Sequence, residues 1–169
     1  MSIRGKTMNR YVLLAFAAAI VPTAHADWQF TRWGMTQAEV TAAGKGMVVP
    51  IPEDQIKGRS FRTLRCSLEQ VYQAGDVKLR ASMCFDSSGK LTKVSVEPAE
   101  SGGIQCGTLE NELTRKYGTN FATENSSVSH SLRWQDEART TDILLYESLI
   151  THDCHINYDS VSNSVTKGL

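Results

Sequence analysis

Apolar and polar positions alternate along three stretches in the first half of the chain. Leu64, Cys66, Leu68 and Tyr72 stand out of phase with Arg65, Ser67 and Glu69. Val77, Leu79, Ala81, Met83 and Phe85 stand against Lys78, Arg80 and Ser82, and Thr92, Val94 and Val96 mark one face of residues 91–97. A period of two is that of a strand with one buried face. Asp86-Ser87-Ser88-Gly89 supplies a turn, so the stretch predicts three antiparallel strands. The pattern returns over residues 130–134, 140–146 and 152–158, with a polar turn around Asp136-Glu137-Ala138.

Helical spacing precedes each set of strands. Thr36 and Glu39 form a capping box, in which the hydroxyl accepts from the Glu39 amide and the carboxylate reaches back. That helix runs through Ala42 and Ala43 and stops at Gly44 or Gly46. A second helix is predicted over residues 106–117, with Leu109, Leu113 and Tyr117 on one face and Gly118 beyond its end. The expected class is α+β, two helices packed on antiparallel β-meanders. Two arrangements fit. One is a tandem duplication of a helix plus three strands, with halves 27–98 and 104–159 split at Glu97-Pro98-Ala99-Glu100-Ser101-Gly102-Gly103. The other is one continuous sheet with both helices on a face. Residues 160–169 read as a polar tail.

The first 26 residues stand apart from this pattern. Arg4, Lys6 and Arg10 precede an apolar run over residues 11–21, then Pro22 and Ala24-His25-Ala26. That is the form of a cleaved export signal, with Met8 an alternative start, and its run is short of the roughly 20 residues a membrane span needs. The mature chain then begins at Asp27 and no later segment is apolar enough to span. Export places the protein in the periplasm or outside the cell. Without the leader, 15 basic residues face 18 acidic ones, a net charge of −3. That balance argues against a nucleic-acid footprint. The one basic stretch, Lys57, Arg59, Arg62 and Arg65, reads as a solvated loop and strand edge.

In an oxidising compartment Cys66, Cys84, Cys106 and Cys154 are expected as disulfides, with three pairings open. Nearest-neighbour pairing joins Cys66 to Cys84 and Cys106 to Cys154. A turn at Gly75-Asp76 resists the first bridge, because it sets Leu68 opposite Met83 and Cys66 opposite Phe85, with Cys84 on the other face. A β-bulge would absorb that conflict.

Chemistry is harder to find. His152-Asp153-Cys154-His155 is the densest reactive group, yet alternation along a strand splits it between two faces. There is no zinc-type cysteine spacing, no H-E-x-x-H, no G-x-S-x-G and no phosphate loop. The reading therefore assigns no catalytic residue, metal or cofactor. An unrecognised enzyme would place His130, His152 or His155 beside a carboxylate. Trp28, Phe30 and Trp33 alternate as in a first strand with one buried face. Exposed instead, Trp28 and Trp33, and with weaker support Trp134 and Tyr146, would be partner-binding anchors.

The octapeptide Trp33-Gly34-Met35-Thr36-Gln37-Ala38-Glu39-Val40 resembles the W/F-G-M-[ST]-x-x-x-V opening of a group of small exported domains. That group is similar to the small lipoprotein of the outer-membrane barrel-assembly machine and to the secreted β-lactamase-inhibitory protein. The resemblance implies a helical segment followed by an antiparallel meander, sometimes in tandem, acting by protein–protein contact. This chain departs from the group in having no lipid-attachment cysteine, and its cysteines do not follow the helices as in the inhibitor. The functional expectation is a non-catalytic binding or envelope-associated module whose partner is another envelope or secreted protein. A carrier of small apolar ligands, with a pocket between helices and sheet, is the alternative, followed by an enzyme of unrecognised type.

Overall fold

The computed structural model describes residues 27–75, 77–100 and 106–161. The export signal, most of the expected tail and Ser101 to Gly103 of the expected linker lie outside the described residues. The elements in chain order are α1 (Gln37–Ala43), β1 (Val49–Pro50), α2 (Glu53–Arg59), β2 (Arg65–Ala74), β3 (Val77–Phe85), β4 (Leu91–Pro98), α3 (Cys106–Tyr117), β5 (Ala122–Asn125), β6 (Ser129–Asp136), β7 (Thr141–Ser148) and β8 (Cys154–Ser160). The strands form one antiparallel sheet in the order β1-β2-β3-β4-β8-β7-β6-β5. The protein is thus α+β. Each half contributes helix and meander, and the two meanders join through their last strands, β4 and β8.

Local chemistry accounts for the first and third helices. Thr36 Oγ1 accepts from the Glu39 amide at 3.3 Å, while the Thr36 amide donates to the Glu39 carboxylate at 2.8 Å. On α3, Cys106, Leu109 and Leu113 are buried, which is helical spacing against a sheet. Gly118, at φ +83°, donates its amide to the Thr114 carbonyl oxygen at 2.8 Å and ends the helix. Helix α2 corrects the loop expected around Lys57 and Arg59. It buries only Ile56, so it leaves no apolar period to read, but acidic residues open it and basic ones close it, as the helix dipole favours.

The β2–β3 hairpin pairs Leu68 with Met83 and Cys66 with Cys84, with the register shifting between Cys66 and Leu68. That irregularity turns Cys66 onto the face of Cys84, and the two are disulfide-bonded. One sheet face carries the main core. Leu68, Met83, Val94, Tyr158, Ile143 and Trp134 lie on it in successive strands, covered by Val40 of α1 and Leu109 and Leu113 of α3. Residues 27–35 are not the expected first strand. Trp28 and Thr31 close a tight turn, and Gly34 and Met35 then exchange backbone hydrogen bonds with Leu91. At the other end β8 extends through buried Ser160, which therefore belongs to the sheet rather than to the tail.

Candidate functional site

Among the described residues, helix covers the opposite face of the sheet only at its β2–β3 end. There α2 and the 61–64 turn bury Ile51, Ile56 and the Cys66–Cys84 bridge. Across the remaining strands the pairing lines up side chains that are polar apart from Leu144 and the Tyr146 ring. One row runs Glu69, Ser82, Ser95, Asn157, Leu144 and Arg133; the next runs Arg80, Glu97, His155, Tyr146 and Ser131. These are the polar phases of strands whose other phase forms the core.

Asn157 sits at the middle of that face. It is 5 % exposed, and its Oδ1 has no hydrogen-bond partner among the described residues. A buried amide oxygen left unpaired costs about 1–3 kcal/mol. In the next row, the Tyr146 and His155 rings stack at 5.0 Å between centroids. Burial, with Lys93 nearby, holds the His155 imidazole below its ordinary value, against an opposing pull from Glu97. The ring is therefore neutral near pH 7 and carries one donor and one acceptor.

Charged pairs frame this centre. Arg80 reaches Glu69 and Glu97, each at 3.5 Å, and Arg59 of α2 also pairs with Glu69. Lys93 bonds Asp159 at 2.7 Å and lies over the Phe61 ring at 5.1 Å from its centroid. On the far side Arg133 meets Glu124 at 3.4 Å. The face thus offers an aromatic edge framed by ion pairs, an arrangement suited to polar recognition.

The candidates drawn from sequence fall elsewhere. The three tryptophans do not form an exposed patch. Trp28 is buried among Phe30, Tyr72 and Tyr158, and Trp134 is buried with its indole bonded to the Gly118 carbonyl. Trp33 is half-buried and donates to Thr141 Oγ1 at 2.9 Å, tying the N-terminal segment to β7. Their bulk makes them core-fillers, and each indole N–H that bonds does so internally. Cys106 and Cys154, expected as a bridge, are two buried thiols that interact with each other. His130 bonds the Asn125 amide oxygen, and His152 is exposed in a turn at φ +57°. Among the described residues no histidine hydrogen-bonds a carboxylate, and no group of three metal-ligating side chains forms. Lys57, Arg62 and Arg65 line a shallow depression beside α2, where Arg65 pairs with Glu53 at 2.6 Å.

Of the residues on the open face, sequence reasoning singled out Tyr146 as a weaker anchor and His155 as a reactive side chain. It passed over Asn157, Arg80, Leu144 and Arg133. The period of two placed Arg80 in the polar phase of its strand and singled out none of the other three. That these residues meet in one patch depends on β4 pairing with β8.

No helix among the described residues is long and apolar enough to cross a membrane. No protein-family model and no curated protein matches the chain. Among solved structures, the chain is similar to a DUF4309 family protein, YjgB, from Bacillus subtilis subsp. subtilis str. 168, at 10% sequence identity and a TM-score of 0.45, over 79% of this chain and 83% of that one.

Proposed function

We propose that this chain is an exported, non-catalytic binding module, periplasmic or secreted, that engages another envelope or secreted protein through the open face of its sheet. The stacked Tyr146 and His155 rings, on the face that no described helix covers, are the observation that carries this reading. A partner group seated beside them would gain a hydrogen bond to the neutral His155 imidazole. Tyr146 and Leu144 supply apolar contact beside it, and Arg80, Glu97 and Arg133 form a charged rim that sets register. The Trp33–Val40 opening, which resembles that of exported domains acting by protein contact, points the same way. The carrier alternative gains no observation, since Trp28, Val40, Leu109 and Leu113 fill the layer between helices and sheet.

The test is capture from envelope and secreted extracts with oxidised, folded protein, comparing wild type with Tyr146→Ala, Leu144→Asp and a control at exposed Met47. One protein retained at near-equal stoichiometry, weakened at least about 30-fold by the face variants but not by Met47→Ala, would support the reading. A partner indifferent to both face variants, or no partner from a correctly folded bait, would overturn it.

A further inference from the structure

Cys106 opens α3 and Cys154 opens β8, 48 residues later. Both are buried, at 7 % and 3 % exposure, in the same core cluster, and their side chains interact. The Cys66–Cys84 bridge lies in the separate apolar cluster on the opposite sheet face, so the sheet itself stands between the two pairs. Neither thiol of the first pair has access to the second.

We propose that Cys106 and Cys154 form a second disulfide, fastening the first turn of α3 to the start of β8. This inference does not rest on the binding role. The reaction is thiol–disulfide exchange with a small-molecule or protein disulfide. One Sγ, as thiolate, attacks the donor and forms a mixed disulfide; the second thiolate then attacks the protein sulfur and displaces the donor. The protein loses two hydrogens and two electrons, and the donor leaves as two thiols. Burial raises both thiols above their ordinary values, so the thiolate is scarce once α3 has docked. Oxidation therefore belongs to folding, and the reduced folded chain is slow to react. Each layer of the molecule then carries its own staple.

Trypsin separates the four cysteines onto residues 66–78, 81–90, 94–115 and 140–167. The full chain, reduced and denatured, is refolded in mixed reduced and oxidised glutathione, quenched in acid, alkylated while unfolded and digested. The expected product joins 94–115 to 140–167, two hydrogens lighter than the sum of the fragments. Recovery of both fragments alkylated, from a sample in which 66–78 is joined to 81–90, overturns the proposal. So does any cross-pairing, or a link between two chains. As a second readout, the Cys106→Ser/Cys154→Ser double variant should melt about 5–10 °C below the oxidised wild type. Equal melting temperatures would contradict a formed bridge. The refolding needs neither export nor a partner, so its result is independent of the capture experiment.

Discussion

Trp134 donates its indole N–H to the carbonyl oxygen of Gly118 across 2.9 Å, joining the middle of β6 to the residue that ends α3. The bond fixes the helix end on the sheet at a point where Gly118, at φ +83°, has turned the chain. Replacing Trp134 by Phe keeps an aromatic ring but leaves that carbonyl without its donor. The expected loss is about 1–3 kcal/mol, seen as a lower urea midpoint with an unchanged m value. Gly118→Ala should cost about 1–2 kcal/mol through backbone strain alone. A Trp134→Phe protein as stable as wild type would show that water replaces the bond without cost.

A different constraint acts at Gly44, whose φ of −72° suits any residue. A Cβ there would lie 2.5 Å from Val48 Cγ2 and 3.3 Å from the Val40 carbonyl oxygen. Val48 and Val40 are both buried, so neither has free space to retreat into. Gly44→Ala should destabilise by about 1–3 kcal/mol through overpacking. Adding Val48→Ala should recover part of that loss. Strict additivity of the two changes in chemical denaturation would refute the steric account.

The acid limb of stability should depend on two capping carboxylates. Hydrogen bonds from the Thr36 amide and hydroxyl hold Glu39 below its ordinary 4.5, and the Ser88 hydroxyl with the Lys90 and Ser88 amides holds Asp86 below 3.8. A carboxyl lowered on folding stabilises fully above its unfolded value and loses that contribution as pH falls through its folded value. Glu39→Gln and Asp86→Asn should therefore flatten the decline below about pH 4.5, measured as melting temperature against pH. Variants that decline as steeply as wild type would remove both carboxyls from the account.

At high pH the control passes to Tyr72. Burial pushes its phenol up to about 12 from 10.0. Below the unfolded value the neutral ring is accommodated at no ionisation cost. Above it the unfolded chain loses a proton that the folded chain retains, so stability falls between pH 10 and about 12. Tyr72→Phe should shift the alkaline unfolding midpoint upward and leave stability near pH 7 little changed. Alkaline titration followed by far-ultraviolet circular dichroism reads both quantities. An unmoved midpoint would transfer the effect to buried Tyr158, whose phenol is also raised.

Legibility from sequence varied with the range of the interaction. Helix α3 occupies the predicted residues, because Leu109, Leu113 and the Gly118 terminator are all internal to it. The Leu68–Met83 register appears as expected, and the conflict it creates for Cys66 is resolved by an irregularity at that position. By contrast, α2 escaped notice because one buried isoleucine defines no period. The alternation at Trp28, Phe30 and Trp33 suggested a strand where the chain makes a turn. There the rings fill the core without any sheet pairing beyond a single bridge.

By itself, then, the amino-acid order determined the capping box, α3, the first hairpin and the alternating faces of the strands. Each depends on partners within a few residues or across one turn, where torsional preference and hydrogen bonding act locally. Tertiary structure decided that β4 pairs with β8, 60 and more residues away, and that the tryptophans go inward. It alone brought Asn157, Tyr146, His155 and Arg80 onto one open face. Those outcomes follow from which apolar face finds a cover and which strand edges meet, and no local pattern encodes either.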